Sequence, residues 1–204
     1  ALHRGAHRCS RRVMEFISDR VSVERRPDGL SVVISARLPR SKEALLVAWA
    51  VAWLVCGVLI AVQTVNLPAG RMRTFFIVFL AFWLWFALRI GRVVLWRLKG
   101  YELWRIKDGT LTVKDSILGY GRANDYFVEN ISRFGPVTID ETSWKWQLND
   151  SFWVMGGERI GFEHAGRKVV IGKGLTREEA GKLAPVVARA LTAARKGTRS
   201  GGDR

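Results

Sequence analysis

Hydrophobic positions along this chain follow two different rhythms. Between residues 44 and 96 they run almost without interruption. The stretch ALLVAWAVAWLVCGVLIAVQTV, residues 44–65, carries no charge, and TFFIVFLAFWLWFALRIGRVVLW, residues 74–96, carries none before Arg89. About 20 helical residues cross a hydrocarbon core of about 30 Å, so each run predicts a transmembrane helix. NLPAGRMR, residues 66–73, lies between them and is rich in turn formers. The two runs therefore predict a helical hairpin.

Outside that block the rhythm has period two. VSVERRPDGLSVVISARL, residues 21–38, reads as a hairpin around Arg26-Pro27-Asp28-Gly29. YELWRI and TLTVKD flank Lys107-Asp108-Gly109, a second hairpin signal. A strand is expected near residues 120–128. Trp144 and Trp146 alternate with Lys145 in SWKWQL, and RIGFEHAGRKVVIG, residues 159–172, reads as a further hairpin. The TREE stretch, Thr176 to Glu179, is a capping-box pattern that opens a helix. Leu183, Val187, Ala190, Leu191 and Ala194 share one face of it, and Pro185 predicts a kink or a late start.

An isolated two-stranded hairpin is marginal in water. Residues 21–38 therefore need a larger sheet, and the sheet of residues 101–172 is the available one. The predicted division is a basic arm over 1–20, a β-hairpin over 21–42 and a transmembrane hairpin over 43–98. A β-domain with a C-terminal helix follows over 99–196, and a flexible tail over 197–204. The fold class is membrane α+β, with the two-helix hairpin inserted in a mostly antiparallel β-domain.

Charge orients this arrangement. The chain of 204 residues has 33 Lys and Arg against 18 Asp and Glu, a formal net charge of +15. The basic residues crowd before the first apolar run and after the second, whereas the connection carries only Arg71 and Arg73. The positive-inside rule then places both termini in the cytoplasm of a bacterial inner-membrane protein. More than 40 residues precede the first run, so a cleaved secretory signal is not expected. A helix begun at Thr74 reaches Arg89 after roughly 22 Å, where Arg89 and Arg92 can snorkel to headgroups. Arg40, Lys42, Arg89, Arg92, Arg97 and Lys99 are the candidate contacts to anionic lipid. The two cysteines, Cys9 and Cys56, form no disulfide framework.

Three stretches bear on the fold family. PDGLSVVISAR (residues 27–37), GYELWRIKDGTLTV (100–113) and IGFEHAGRKVVIGKGLTREEAGKL (160–183) resemble a family of uncharacterised bacterial membrane proteins. Those proteins have two transmembrane helices and a PH-like cytoplasmic β-domain. The resemblance covers most of the chain from about residue 21. It implies a curved antiparallel sheet closed by a C-terminal helix, and it implies no activity.

Candidate chemistry is sparse. His3, His7 and Cys9 sit in the basic arm, where solvated charge explains them better than a metal site, which needs a fourth ligand and rigid support. His164 is expected in a solvated hairpin turn. VVIGKGLT lacks the glycine spacing of a phosphate-binding loop; its glycines suit a strand-to-helix turn, with weak phosphate binding through Lys173 and free N–H groups as the alternative. Asp140, Glu141 and Asp150 fall in loops without forming an acid–base pair. Neither apolar run contains His, Asp or Glu, which argues against a proton relay.

These readings predict no enzyme, cofactor, metal, nucleic-acid partner or small-molecule substrate. They point instead to a noncatalytic accessory subunit of a bacterial inner-membrane complex, with photosynthetic and respiratory assemblies among the candidate hosts. Trp83, Trp85, Phe86, Trp144, Trp146, Phe152 and Trp153 are the candidate contacts to other membrane subunits, because aromatic anchors dominate interfaces. The alternative is a membrane-anchored PH-like module that senses anionic lipid headgroups.

Overall fold

The computed structural model describes residues 13–26, 28–138, 142–144 and 155–201, with side chains to residue 197. Six strands form one antiparallel meander: β1 Val13–Ser18, β2 Val21–Arg26, β3 Gly29–Ser35, β4 Gly100–Lys107, β5 Thr110–Ile117 and β6 Ala123–Phe127. Three more form a second antiparallel sheet: β7 Ile131–Pro136, β8 Ile160–His164 and β9 Arg167–Ile171. Two long helices, α1 Arg40–Asn66 and α2 Arg71–Lys99, leave the chain between β3 and β4. A third helix, α3 Arg177–Gly201, follows β9.

The β3–β4 pair defines the architecture. Gly29 lies opposite Lys107 and Ser35 opposite Tyr101, with no slip in register between them. Strands on either side of the helical excursion are thus direct neighbours. Their helix-bearing ends meet where the Ala36 N–H donates to the Gly100 carbonyl at 3.1 Å.

Alternation along the strands selects the core. Val21 and Val23, Leu30, Val32 and Ile34, Trp104 and Ile106, and Leu111 and Val113 all point inward and are buried. Leu183, Val187 and Leu191 of α3 cover that face, each contributing about 1.5–3 kcal/mol by leaving water. The capping box forms as its sequence predicts: Glu179 N–H donates to Thr176 Oγ1 at 3.1 Å, and Thr176 N–H to Glu179 Oε2 at 2.8 Å.

Three expectations need correction. The helix neither starts late nor stops at Pro185 but runs through it, because buried Leu183 and Ala184 before it and Val187 after it hold both segments to the sheet. The helix continues to Gly201, into the segment expected as a flexible tail. The presumed arm over 1–20 contains β1, paired along β2. Its apolar residues escaped the period-two reading because Val13, Met14 and Phe16 are all exposed.

The two long helices touch along one seam. Half-buried or buried positions recur at 46, 50, 53, 57, 60 and 64 on α1, and at 76, 80, 83, 87, 90 and 94 on α2. At the seam's centre, Trp83 Nε1 donates to the Trp53 carbonyl at 3.3 Å. Away from the seam and the junction with the β-domain the helices are largely open: the most apolar stretch of α1 is 11% buried, and that of α2 is 0% buried. Both helices are long and apolar enough to cross a membrane. A hairpin in a soluble core would bury this surface.

Candidate functional site

The residues around the point where α1 leaves the sheet form a cleft of about 840 Å³. Three segments build it. The β1–β2 turn gives Asp19 and Arg20, the β3–α1 link and the first turn of α1 give Arg37, Arg40 and Lys42, and the start of α3 gives Arg177. Arg159, just before β8, completes the wall. Six basic side chains therefore face two acidic ones, Asp19 and Glu179.

Glu179 is already committed. It accepts from Ser18 Oγ at 2.7 Å, Arg20 Nη2 at 2.9 Å and the Thr176 N–H at 2.8 Å. Burial alone would raise its pKa, but these donors and the Arg20 charge outweigh it and hold the carboxyl below its ordinary range. Arg37, Arg40, Lys42 and Arg177 are exposed at the cleft surface. Pro39 stands at the N-cap of α1 and supplies no side-chain bond to the first turn. The opening N–H groups of α1 thus add the positive end of a helix dipole to the same space.

Beside this cleft, a second polar cluster fixes the β9–α3 loop. Glu102 of β4 is 1% exposed. It accepts from Trp104 Nε1 at 2.8 Å, the Gly172 N–H at 3.1 Å and the Lys173 N–H at 2.8 Å. Burial raises its pKa despite those three donors, and the Asp115 carboxylate adds to the rise. Asp115 lies directly opposite Glu102 on β5. Like charges at such a pair repel, and Lys173 Nζ relieves this by pairing with Asp115. The same ammonium stands 5.8 Å from the ring of Trp96, near the end of α2.

This bonding overturns one alternative from the sequence. Lys173 and the neighbouring N–H groups do not await a phosphate: Glu102, Glu179 and Asp115 already occupy them. The glycines serve the turn, with φ of 83° at Gly172 and 70° at Gly174.

No protein-family model, curated protein or solved structure matches the chain. Its functional reading therefore rests on where the side chains lie.

Of the six candidate lipid contacts, Arg40 and Lys42 meet in the cleft. Arg89, Arg92 and Lys99 are exposed on α2, and the Arg89 guanidinium lies 5.0 Å from the Trp85 ring. Arg97 is different. It is 4% exposed, packed beside Gly174 at the junction with the β-domain, so headgroups cannot reach it as expected.

The aromatic candidates also divide. Trp83 is spent on the α1–α2 seam, whereas Trp85 and Phe86 are exposed. Trp144 is 66% exposed, and Trp146, Phe152 and Trp153 lie outside the described residues, as do His3, His7, Cys9, Asp140, Glu141 and Asp150. His164 is not the solvated turn residue expected. It ends β8, packs edge-on to Tyr126 at 5.2 Å, and buries Nε2. Among the described residues no three His, Cys, Asp or Glu side chains cluster as metal ligands.

Proposed function

We propose that this protein is a noncatalytic membrane-anchored module. Its two apolar helices cross a bacterial inner membrane with both termini in the cytoplasm, and its β-domain, PH-like in layout, holds an anionic lipid headgroup in the basic cleft. The observation that carries this reading is the placement of Arg37, Arg40 and Lys42 together with Arg20 and Arg177 where α1 departs from the sheet. A phospholipid phosphate beside the first turn of α1 meets several cations there, and α1 itself fixes the height of the cleft relative to the bilayer.

Each cation near an anionic leaflet contributes about 1 kcal/mol. Removing Arg37, Arg40 and Lys42 together should then weaken headgroup binding by about 3 kcal/mol, or on the order of a hundredfold. The test is thermal unfolding of the full chain in nanodiscs with and without anionic lipid. Anionic lipid should raise the midpoint for the wild type, and R37Q/R40Q/K42Q should abolish most of that gain. A wild-type midpoint indifferent to lipid charge refutes the proposal.

A second reading, an accessory subunit of a larger membrane complex, is favoured by α2. Phe75, Phe79, Phe82 and Phe86 are exposed at spacings of four, three and four residues, the interval of a helix-packing stripe. That stripe is separate from the seam holding α1. Purification in gentle detergent should retain stoichiometric neighbours, and consistent recovery of a lone monomer counts against it.

A further inference from the structure

The β5–β6 turn stands at the end of the sheet from which the helices depart. Ile117 is paired with Gly100, and Gly100 directly follows the last residue of α2. The next residues, Leu118 and Gly119, form the tip, closed by reciprocal bonds between Ile117 and Tyr120 of 2.7 and 3.0 Å. Leu118 is 58% exposed and Tyr120 is 86% exposed.

Leucine is a poor choice for this position on folding grounds alone. Its φ is 53°, followed by 87° at Gly119. That two-residue turn favours Asn, Asp or Gly first, because a branched side chain at positive φ crowds the backbone. Among the described residues the same geometry recurs at Asp108-Gly109 and Ala165-Gly166. The Asp108 turn closes β4 and β5 at the opposite end of the sheet, where Lys107 pairs with Thr110. Among the described residues, the turn of this geometry that carries a bulky apolar residue is the one at the helix-bearing end.

Charge around the tip matches an anionic surface. Lys114 Nζ lies 3.5 Å from the Gly119 carbonyl, and Arg122 is exposed. Residues 116–122 include no acidic side chain. Backbone strain and exposed apolar area thus coincide with local positive charge at this tip.

We propose that the β5–β6 turn is a second membrane contact, in which Leu118 and Tyr120 enter the interfacial layer of the bilayer while Lys114 and Arg122 meet lipid phosphates. The contact rests on the reading that α1 and α2 cross a membrane. It is distinct from the basic cleft, which holds a headgroup by charge. Together they would give the β-domain two footings on the leaflet besides its covalent tether.

The test uses the full chain in nanodiscs containing anionic lipid, with Cys9 and Cys56 replaced by Ser. An environment-sensitive fluorophore is attached at Leu118→Cys, Asp108→Cys or Leu84→Cys, and quenched by spin-labelled lipid. Leu118→Cys should show blue-shifted emission and strong quenching, whereas Asp108→Cys should show neither. A Leu118 probe as unquenched as the Asp108 probe, beside a quenched Leu84 probe on α2, overturns the contact alone. An unquenched Leu84 probe overturns the membrane reading and the contact with it. Leu118→Asn suits the turn and should fold at least as well. Reduced quenching of a Tyr120→Cys probe in that background therefore reports lost membrane contact, and unchanged quenching would show that Leu118 does not hold the tip there.

Discussion

A Cβ added to Gly57 would stand 2.0 Å from Cε2 of Trp83. The indole lies across the bare backbone of α1, and its Nε1 reaches the Trp53 carbonyl one turn earlier. In an apolar solvent the helices gain little from burying apolar surface, so close packing and such bonds must hold them together. Gly57→Ala forces the ring outward. Overpacking of this kind costs about 1–3 kcal/mol, and thermal unfolding in detergent should fall accordingly. An unchanged midpoint would show that the helices do not associate through this pair.

Two buried glutamates should tilt stability in opposite directions with pH. The folded pKa of Glu102 is raised above the ordinary 4.5. Its contribution is therefore full below 4.5 and is lost as pH rises through the folded value. The folded pKa of Glu179 is lowered, so its contribution is present above 4.5 and is lost as pH falls through the folded value. Denaturation followed across pH should show Glu102→Gln removing a decline on the alkaline side of 4.5. Glu179→Gln should remove a decline on the acid side. Two variants with the wild-type profile would mean that neither carboxyl is held as the structure shows.

Much of the scaffold was legible in the sequence, because strands and long apolar helices declare themselves over short windows. Asp108-Gly109, the TREE box and the two apolar runs each announced a local element that the structure contains. What stayed hidden depends on residues far apart. The cleft joins Arg20, Arg37, Arg159 and Arg177, and no local pattern marks four arginines from separate segments as neighbours. Nothing in YELWRI marks Glu102 as a buried carboxylate. It faces inward with Trp104 because the loop at Gly172 and Lys173 supplies donors seventy residues away. Strand β1 was missed because an exposed edge strand need not alternate.

Gly174 combines a left-handed backbone with a buried charged neighbour. Its φ is 70°, and a Cβ there would lie 3.2 Å from Arg97 Nη1. Gly174→Ala pays about 1–2 kcal/mol for the left-handed backbone and also presses on the buried guanidinium. The β-domain should lose thermal stability. Gly181→Ala, which meets nothing within 4 Å and lies inside α3, should gain about 0.5–1 kcal/mol. Equal midpoints for the two variants would refute the proposed crowding at the junction.

The unbroken β3–β4 register makes the helices removable in principle. Ala36 and Gly100 are already hydrogen-bonded across the gap, as the last pair of a hairpin would be. Replacing residues 37–99 with Asn-Gly should therefore close β3 and β4 through a tight turn whose twist suits the strands. The variant loses Trp96 and Leu46, both buried, and is expected to be less stable than the parent domain. It keeps the inward faces of β2 to β5 and their cover of Leu183, Val187 and Leu191. It should be monodisperse without detergent and show a cooperative melt with a β-rich circular dichroism spectrum. Aggregation or a non-cooperative melt would show that the sheet needs its helices to fold, and that the excursion between β3 and β4 is part of the domain rather than an insertion into it.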